Sequence, residues 1–179
     1  MAGGHTRASA AGSGPKGRSS RAARLFAWLA ALAGLLHAAS SAYWAAGGTW
    51  LLDTVGQWAV QLLDVQPVRA RLGLAAIALL KGAAAVVPLL LAYRRLPLEP
   101  LWRGVSWVGA IGLIIYGGLN ALLGNLVLSG ALGPAGGFDR TARAGHAWLW
   151  DPLFLIWGAA LLAYLFLSRT PAGREAGSQ

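Results

Sequence analysis

The sequence predicts an all-α fold: an integral membrane bundle of four transmembrane helices with both chain ends in the cytoplasm. Three observations carry that expectation. Hydrophobic residues make up 56% of the 179-residue chain and charged residues only 12%, about half the charge of an average soluble domain. Four apolar runs are each long enough to cross a hydrocarbon core of about 30 Å at about 1.5 Å per residue. The basic residues gather at alternate connections between those runs.

Residues 1–22 are rich in Gly, Ser, Ala and basic side chains, lack an apolar period, and read as a disordered cytoplasmic tail. The first span is about 25–46, "LFAWLAALAGLLHAASSAYWAA", and Gly47 and Gly48 end it. A cleaved signal peptide with the apolar core Leu25–Leu36 is the competing reading. Apolar and small residues continuing through Trp44 suit an uncleaved span better. The other spans are about 72–93, 105–128 and 148–168, and residues 169–179 form a second cytoplasmic tail. The longest connection, 47–71, contains "TWLLDTVGQWAVQLLDV", in which Leu51, Val55, Trp58, Leu62 and Val65 fall near helical spacing. An interfacial helix or a cap over the bundle end both fit that pattern. The connection from Ser129 to His146 reads as a flexible Gly-rich loop.

Orientation follows from lysine and arginine placement. The N-terminal segment holds Arg7, Lys16, Arg18, Arg21 and Arg24. The connection between spans two and three holds Arg94, Arg95 and Arg103, and the C-terminal segment Arg169 and Arg174. Only Arg69, Arg71, Arg140 and Arg143 lie in the other two connections. The net charge of +9 is therefore an orientation signal, and no nucleic-acid partner is expected. The bacterial inner membrane is the expected location, with the lipid bilayer itself as the first partner. Ala30, Gly34, Ala38 and Ala42 form a small-xxx-small stripe through which homo- or hetero-oligomers could also pack.

Polar side chains inside the spans are the candidate site, because ionisable groups in hydrocarbon are costly and usually face the protein interior. Lys81 lies near the middle of the second span. It reads as a functional cation, as a lysine reaching the interface along its stem, or as a partner that fixes helix register. His37 shares a face with Ser41 and Trp44 at steps of four and seven residues. It reads as a bundle-facing imidazole bonded across a helix interface, or as a proton relay. Asp151, in "WDP", reads as a helix N-cap near the outer boundary. Asn120 and Asn125 read as interhelical hydrogen-bond glue. Counting residues puts His37 roughly 18 Å, Lys81 roughly 16 Å and Asn120 roughly 22 Å above the inner face. A polar pocket of His37, Lys81, Asn120 and Asp151, open to the outside, is the resulting expectation. Tyr43, Trp44, Trp50 and Trp148 are assigned to an interfacial aromatic belt.

Chemical motifs are sparse. The chain has no cysteine, which excludes disulfides and thiolate chemistry. There is no phosphate-binding loop, no dinucleotide fingerprint and no His-x-x-x-His pair. No catalytic set, metal or cofactor is expected. Haem ligation by His37 and His146 is formally available, but His146 beside Trp148 reads better as an interfacial histidine. The leading functional expectation is a non-enzymatic accessory membrane component. The alternatives are a small transporter or channel-like subunit using the polar pocket, and a membrane enzyme acting on a lipid or quinone.

Two stretches carry a family resemblance. "YWAAGGTW" closes the first span, with Tyr43, Trp44, Gly47, Gly48 and Trp50, and "DPLFLIWG" lies in the last, with Asp151, Pro152 and Trp157. Together with the short alanine-rich spans they resemble the domain of unknown function 3995 family, over about Arg24 to Ser168. The resemblance implies a small bacterial, largely actinobacterial, four-span membrane protein. It carries over no catalytic residue.

Overall fold

The computed structural model describes residues 15–133 and 138–169. Most of the expected tails, residues 1–14 and 170–179, lies outside the described residues. The helices are α1 (Pro15–Ala45), α2 (Gln57–Val65), α3 (Pro67–Ala92), α4 (Glu99–Leu128), α5 (Arg140–Gly145) and α6 (Asp151–Leu167). A π-helical turn, His146–Trp150, joins α5 to α6 without a break. No strand occurs among the described residues. Four stretches are long and apolar enough to cross a membrane: Arg21–Ala45, Pro67–Ala92, Glu99–Leu128 and Arg140–Leu167.

Several expected bounds shift. The last eight residues of the expected N-terminal tail are already helical in α1. Six of the last seven residues of the expected Gly-rich loop form helix α5. The last span therefore starts at Arg140, where Asp139 caps it by accepting the Ala142 N–H at 3.0 Å. Asp151 is not a cap. Trp150 before it has helical dihedrals (φ −72°, ψ −48°), so the "WDP" reading marks an interruption inside a longer helix.

Neighbouring helices run antiparallel, in the lateral order α3, α1, α6, α4. α1 packs on both α3 and α6, α4 packs on α6, and α3 barely touches α4. The two inner helices are accordingly the most enclosed. In α1 and in the last span 44% of the apolar window is buried, against 17% in α3 and 11% in α4. We call the end that carries α2 and the α4–α5 connection the loop end, and the opposite one the terminal end.

Small residues let these helices approach. A Cβ added to Gly34 would lie 2.6 Å from the Trp157 ring and 2.7 Å from the Ala85 Cβ. Ala30, Gly34 and Ala38 are buried between the helices of this one chain, while Ala42 is exposed. Most of the small-xxx-small stripe thus serves intramolecular packing. On α4, Gly117 faces the Asp151 carbonyl and Gly124 faces Ala147, and on α6 Gly158 faces the Ala110 carbonyl.

At the loop end α1 closes in a Schellman turn. The Gly48 N–H bonds the Tyr43 carbonyl and the Gly47 N–H the Trp44 carbonyl, with Gly47 at φ +100°. α2 then lies over a second small core of Trp44, Leu52, Ala59 and Trp150. Its buried side is Ala59, with Val60 and Leu63 packed beside it. Trp58, Leu62 and Val65 from the apolar spacing read in the sequence point outward, at 65%, 41% and 76% exposure. α2 thus caps the bundle on one side and offers an apolar strip on the other.

The α4–α6 crossing gives the first prediction. A Cβ at Gly117 would lie 2.5 Å from the Asp151 carbonyl oxygen and 2.7 Å from the Leu155 nitrogen. Gly117→Val is expected to destabilise the bundle by about 1–3 kcal/mol, the usual cost of overpacking. Gly112→Ala, which meets nothing within 4 Å, is expected to hold or raise stability. Reversible unfolding in detergent micelles measures both.

Candidate functional site: a polar clamp at the loop end

The site begins with how the last span passes Pro152. A proline inside a helix has no N–H to donate, and its ring crowds the carbonyl four residues back. The chain widens ahead of it into the π turn His146–Trp150, and the Asp151 N–H bonds the His146 carbonyl five residues back. On a regular α-helix residues five apart point about 140° away from each other. A turn closed five residues apart stacks them instead. His146 and Asp151 therefore meet: Nδ1 lies 3.4 Å from Oδ1 and 3.3 Å from Oδ2.

Asp151 is only 1% exposed. The other imidazole nitrogen, Nε2, lies 3.3 Å from the Val55 carbonyl. A carbonyl can only accept, so Nε2 carries a hydrogen and Nδ1 faces the carboxyl group. Oδ2 lies within ion-pair distance but makes no hydrogen bond among the described residues. The His146 side chain is 37% exposed and lines a cavity of about 450 Å³ with Gln57, Trp58, Asp139 and Arg143. Asp151 is thus connected to the surface through His146.

The remaining members come from α1 and α3. His37 is buried, and its Nε2 donates to the Trp150 carbonyl at 3.0 Å. Its ring stacks on Phe154 with centroids 3.8 Å apart. One turn on, the Ser41 hydroxyl donates to the His37 carbonyl at 3.3 Å. Lys81 reaches in from α3, donating from Nζ to Ser41 Oγ at 3.2 Å and lying 5.5 Å from the Phe154 centroid. Tyr116 of α4 meets the same ring edge-on at 5.6 Å. Phe154 is therefore the shared neighbour of α1, α3 and α4.

The loop fastens the arrangement from above. Trp150 Nε1 donates to Thr54 Oγ1 at 3.0 Å, and Trp44 Nε1 donates to the Trp50 carbonyl at 2.9 Å. Gly145 admits the Thr54 backbone, whose oxygen would lie 2.5 Å from an added Cβ.

The expected pocket residues are only partly brought together. His37 and Lys81 converge on Phe154, and Asp151 follows Trp150, whose carbonyl holds His37. Lys81 bonds Ser41 rather than Asp151. Asn120 turns back to the Tyr116 carbonyl of its own helix at 2.9 Å. Asn125 makes the interhelical bond instead, accepting from Trp148 Nε1 at 2.7 Å. Of the aromatics assigned to the interface, Tyr43, Trp50 and Trp148 are exposed. Trp44 is buried edge-on against Trp150, centroids 5.3 Å apart, because it shares the inward face of His37 and Ser41. His146, read as an interfacial histidine, is 37% exposed, and both its ring nitrogens face acceptors.

Sequence reasoning missed Phe154 and His146. Phe154 had a signal: Trp150, Phe154, Trp157, Leu161 and Tyr164 repeat at steps of four and three, one helix face. His146 had none, because its pairing depends on the π turn.

Removing the imidazole in His146→Ala leaves Asp151 buried without a partner. It is expected to destabilise by about 1–3 kcal/mol. Adding Asp151→Leu in that background is expected to regain most of the loss. Additive destabilisation in a double-mutant unfolding cycle is the outcome against a coupled pair.

Residues 33–161 match the family model described as protein of unknown function (DUF3995), and the chain belongs to that family. No curated protein and no solved structure matches the chain.

Proposed function

We propose that this DUF3995 member is a multi-pass bacterial inner-membrane protein that works as a non-enzymatic accessory component. In this reading its buried polar residues form a clamp that fixes the loop end. The observation that carries it is the bonding pattern. His37 bonds the α6 side, Lys81 bonds α1, and Trp150 bonds the 51–56 loop, so three helices and the loop are tied together. Interhelical hydrogen bonds of this kind fix packing inside a bilayer, where apolar burial does not distinguish one helix face from another.

Membrane placement is supported by four apolar helices and by aromatics at both ends. Trp28 and Tyr93 meet at the terminal end, Nε1 to hydroxyl at 3.3 Å. Arg103 there donates to the Leu165 carbonyl at 3.1 Å, and Arg169 lies 4.5 Å over Trp107. This basic, aromatic end is assigned to the cytoplasm by the positive-inside rule. A proton-linked transport role is the alternative, favoured by one observation: Asp151 Oδ2 is buried without a hydrogen bond, one side chain from a cavity.

The absence of cysteine makes single-cysteine labelling clean. The protein is expected to stay in alkali-washed membranes. Gln57→Cys should react with an impermeant maleimide in intact cells, and Arg95→Cys only after permeabilisation. The opposite pattern overturns the orientation. Lys81→Met and His37→Ala are expected to lower the unfolding temperature while leaving proton flux in proteoliposomes at the protein-free level. Wild-type flux abolished by Lys81→Met, with folding intact, decides for transport.

A further inference from the structure

Away from the clamp, α1 and α3 form an outward-facing groove of about 590 Å³ lined by six alanines, with Leu35 and Leu79 toward the terminal end. Groove and loop end meet at Arg71. This residue stands one helical turn beyond Ala75 of the groove, and its guanidinium packs over Gly47, where an added Cβ would lie 3.2 Å from Nη2. Arg71 also lines a second cavity of about 340 Å³, whose charged members are Asp53, Asp64 and Arg71. That volume falls within the size class of small-ligand sites. Among the described residues no hydrogen bond or ion pair engages the Arg71 guanidinium, nor either carboxylate.

An apolar groove of small side chains thus lies one helical turn from a cavity rimmed by one exposed guanidinium and two exposed carboxylates, none of them paired among the described residues. We propose that this surface holds a single zwitterionic aminophospholipid. One acyl chain lies in the alanine groove, the phosphate sits on Arg71, and the primary ammonium faces Asp53 and Asp64. Guanidinium pairs with phosphate through two parallel N–H bonds. Two carboxylates favour a headgroup with an N–H cation over an anionic one. A choline headgroup has no N–H to donate. The inference rests on the membrane placement proposed above and is independent of orientation and of the clamp.

The test uses the full chain, purified in detergent and offered phosphatidylethanolamine, phosphatidylglycerol and phosphatidylcholine of matched chains. Native mass spectrometry reads the retained lipid. Phosphatidylethanolamine is expected to be retained about tenfold over each of the others, the ratio one charge-assisted hydrogen bond supplies. Arg71→Gln should abolish retention, and Arg71→Lys should keep part of it. The double change Asp53→Asn with Asp64→Asn should erase the preference for ethanolamine over glycerol. Ala42→Leu, which narrows the groove, should weaken all three lipids. Equal retention of the three lipids by the wild type, or retention unaffected by Arg71→Gln, overturns the proposal. Free phosphoethanolamine competing as well as the intact lipid overturns the groove's part in it. Loss of the protein from alkali-washed membranes is a separate readout, and it sinks the membrane placement instead.

Discussion

The last span has to pass Pro152 without ending, and much of the loop end depends on how it does so. An ordinary kink would leave the preceding carbonyls without donors. Here the preceding residues widen into a π turn. That change of register brings His146 and Asp151 onto one face. At the end of the same turn, the Trp150 carbonyl accepts from His37 of α1. With a regular helix His146 would point away from Asp151, and a carboxyl group that is 1% exposed would have no ionisable neighbour on its own helix.

The same turn explains why polar groups are tolerated so deep. Burying an ionised carboxylate alone costs several kcal/mol or more, and an unmade hydrogen bond costs about 1–3 kcal/mol. The chain places its polar atoms where the two best-covered helices meet. α1 and the last span are the inner pair of the row, and α3 and α4 shield them on either side. Lys81 is the one cation inside a described apolar helix that does not sit near its end, and it points toward that inner pair. Phe154 offers it a ring face and offers His37 a stacking partner. One aromatic side chain therefore brings α1 and α3 together against α6.

Much of this was legible in the sequence, and the failures have identifiable causes. The four apolar runs follow from composition alone. The inward face of His37, Ser41 and Trp44 followed from spacing, yet Trp44 was still assigned to the aromatic belt because its neighbours Tyr43 and Trp50 belong there. Asp151 was misread because Asp followed by Pro obeys the local rule for a helix start. The aromatic residues before it, packed against α1 and the loop, override that rule. Asn120 shows the limit of counting residues for depth. Gly117, three residues earlier, touches the Asp151 main chain. Height carries no information about azimuth, and Asn120 bonds its own helix.

Trp44 links the two halves of the loop end. One side of its ring belongs to the small core with Trp150 and Leu52. It also stands in the wall of the Arg71 cavity, as does Leu52. The cavity wall thus includes a residue that packs edge-on against Trp150, whose carbonyl holds His37. Gly47, beneath the Arg71 guanidinium, closes the helix that carries Trp44, His37 and Ser41. The Schellman turn therefore has two jobs of unlike kind: it ends α1, and it leaves a side-chain-free surface on which an arginine can lie. A side chain at Gly47 would be strained at φ +100° and would also displace Arg71, so this one glycine joins the polar clamp to the charged cavity beside it.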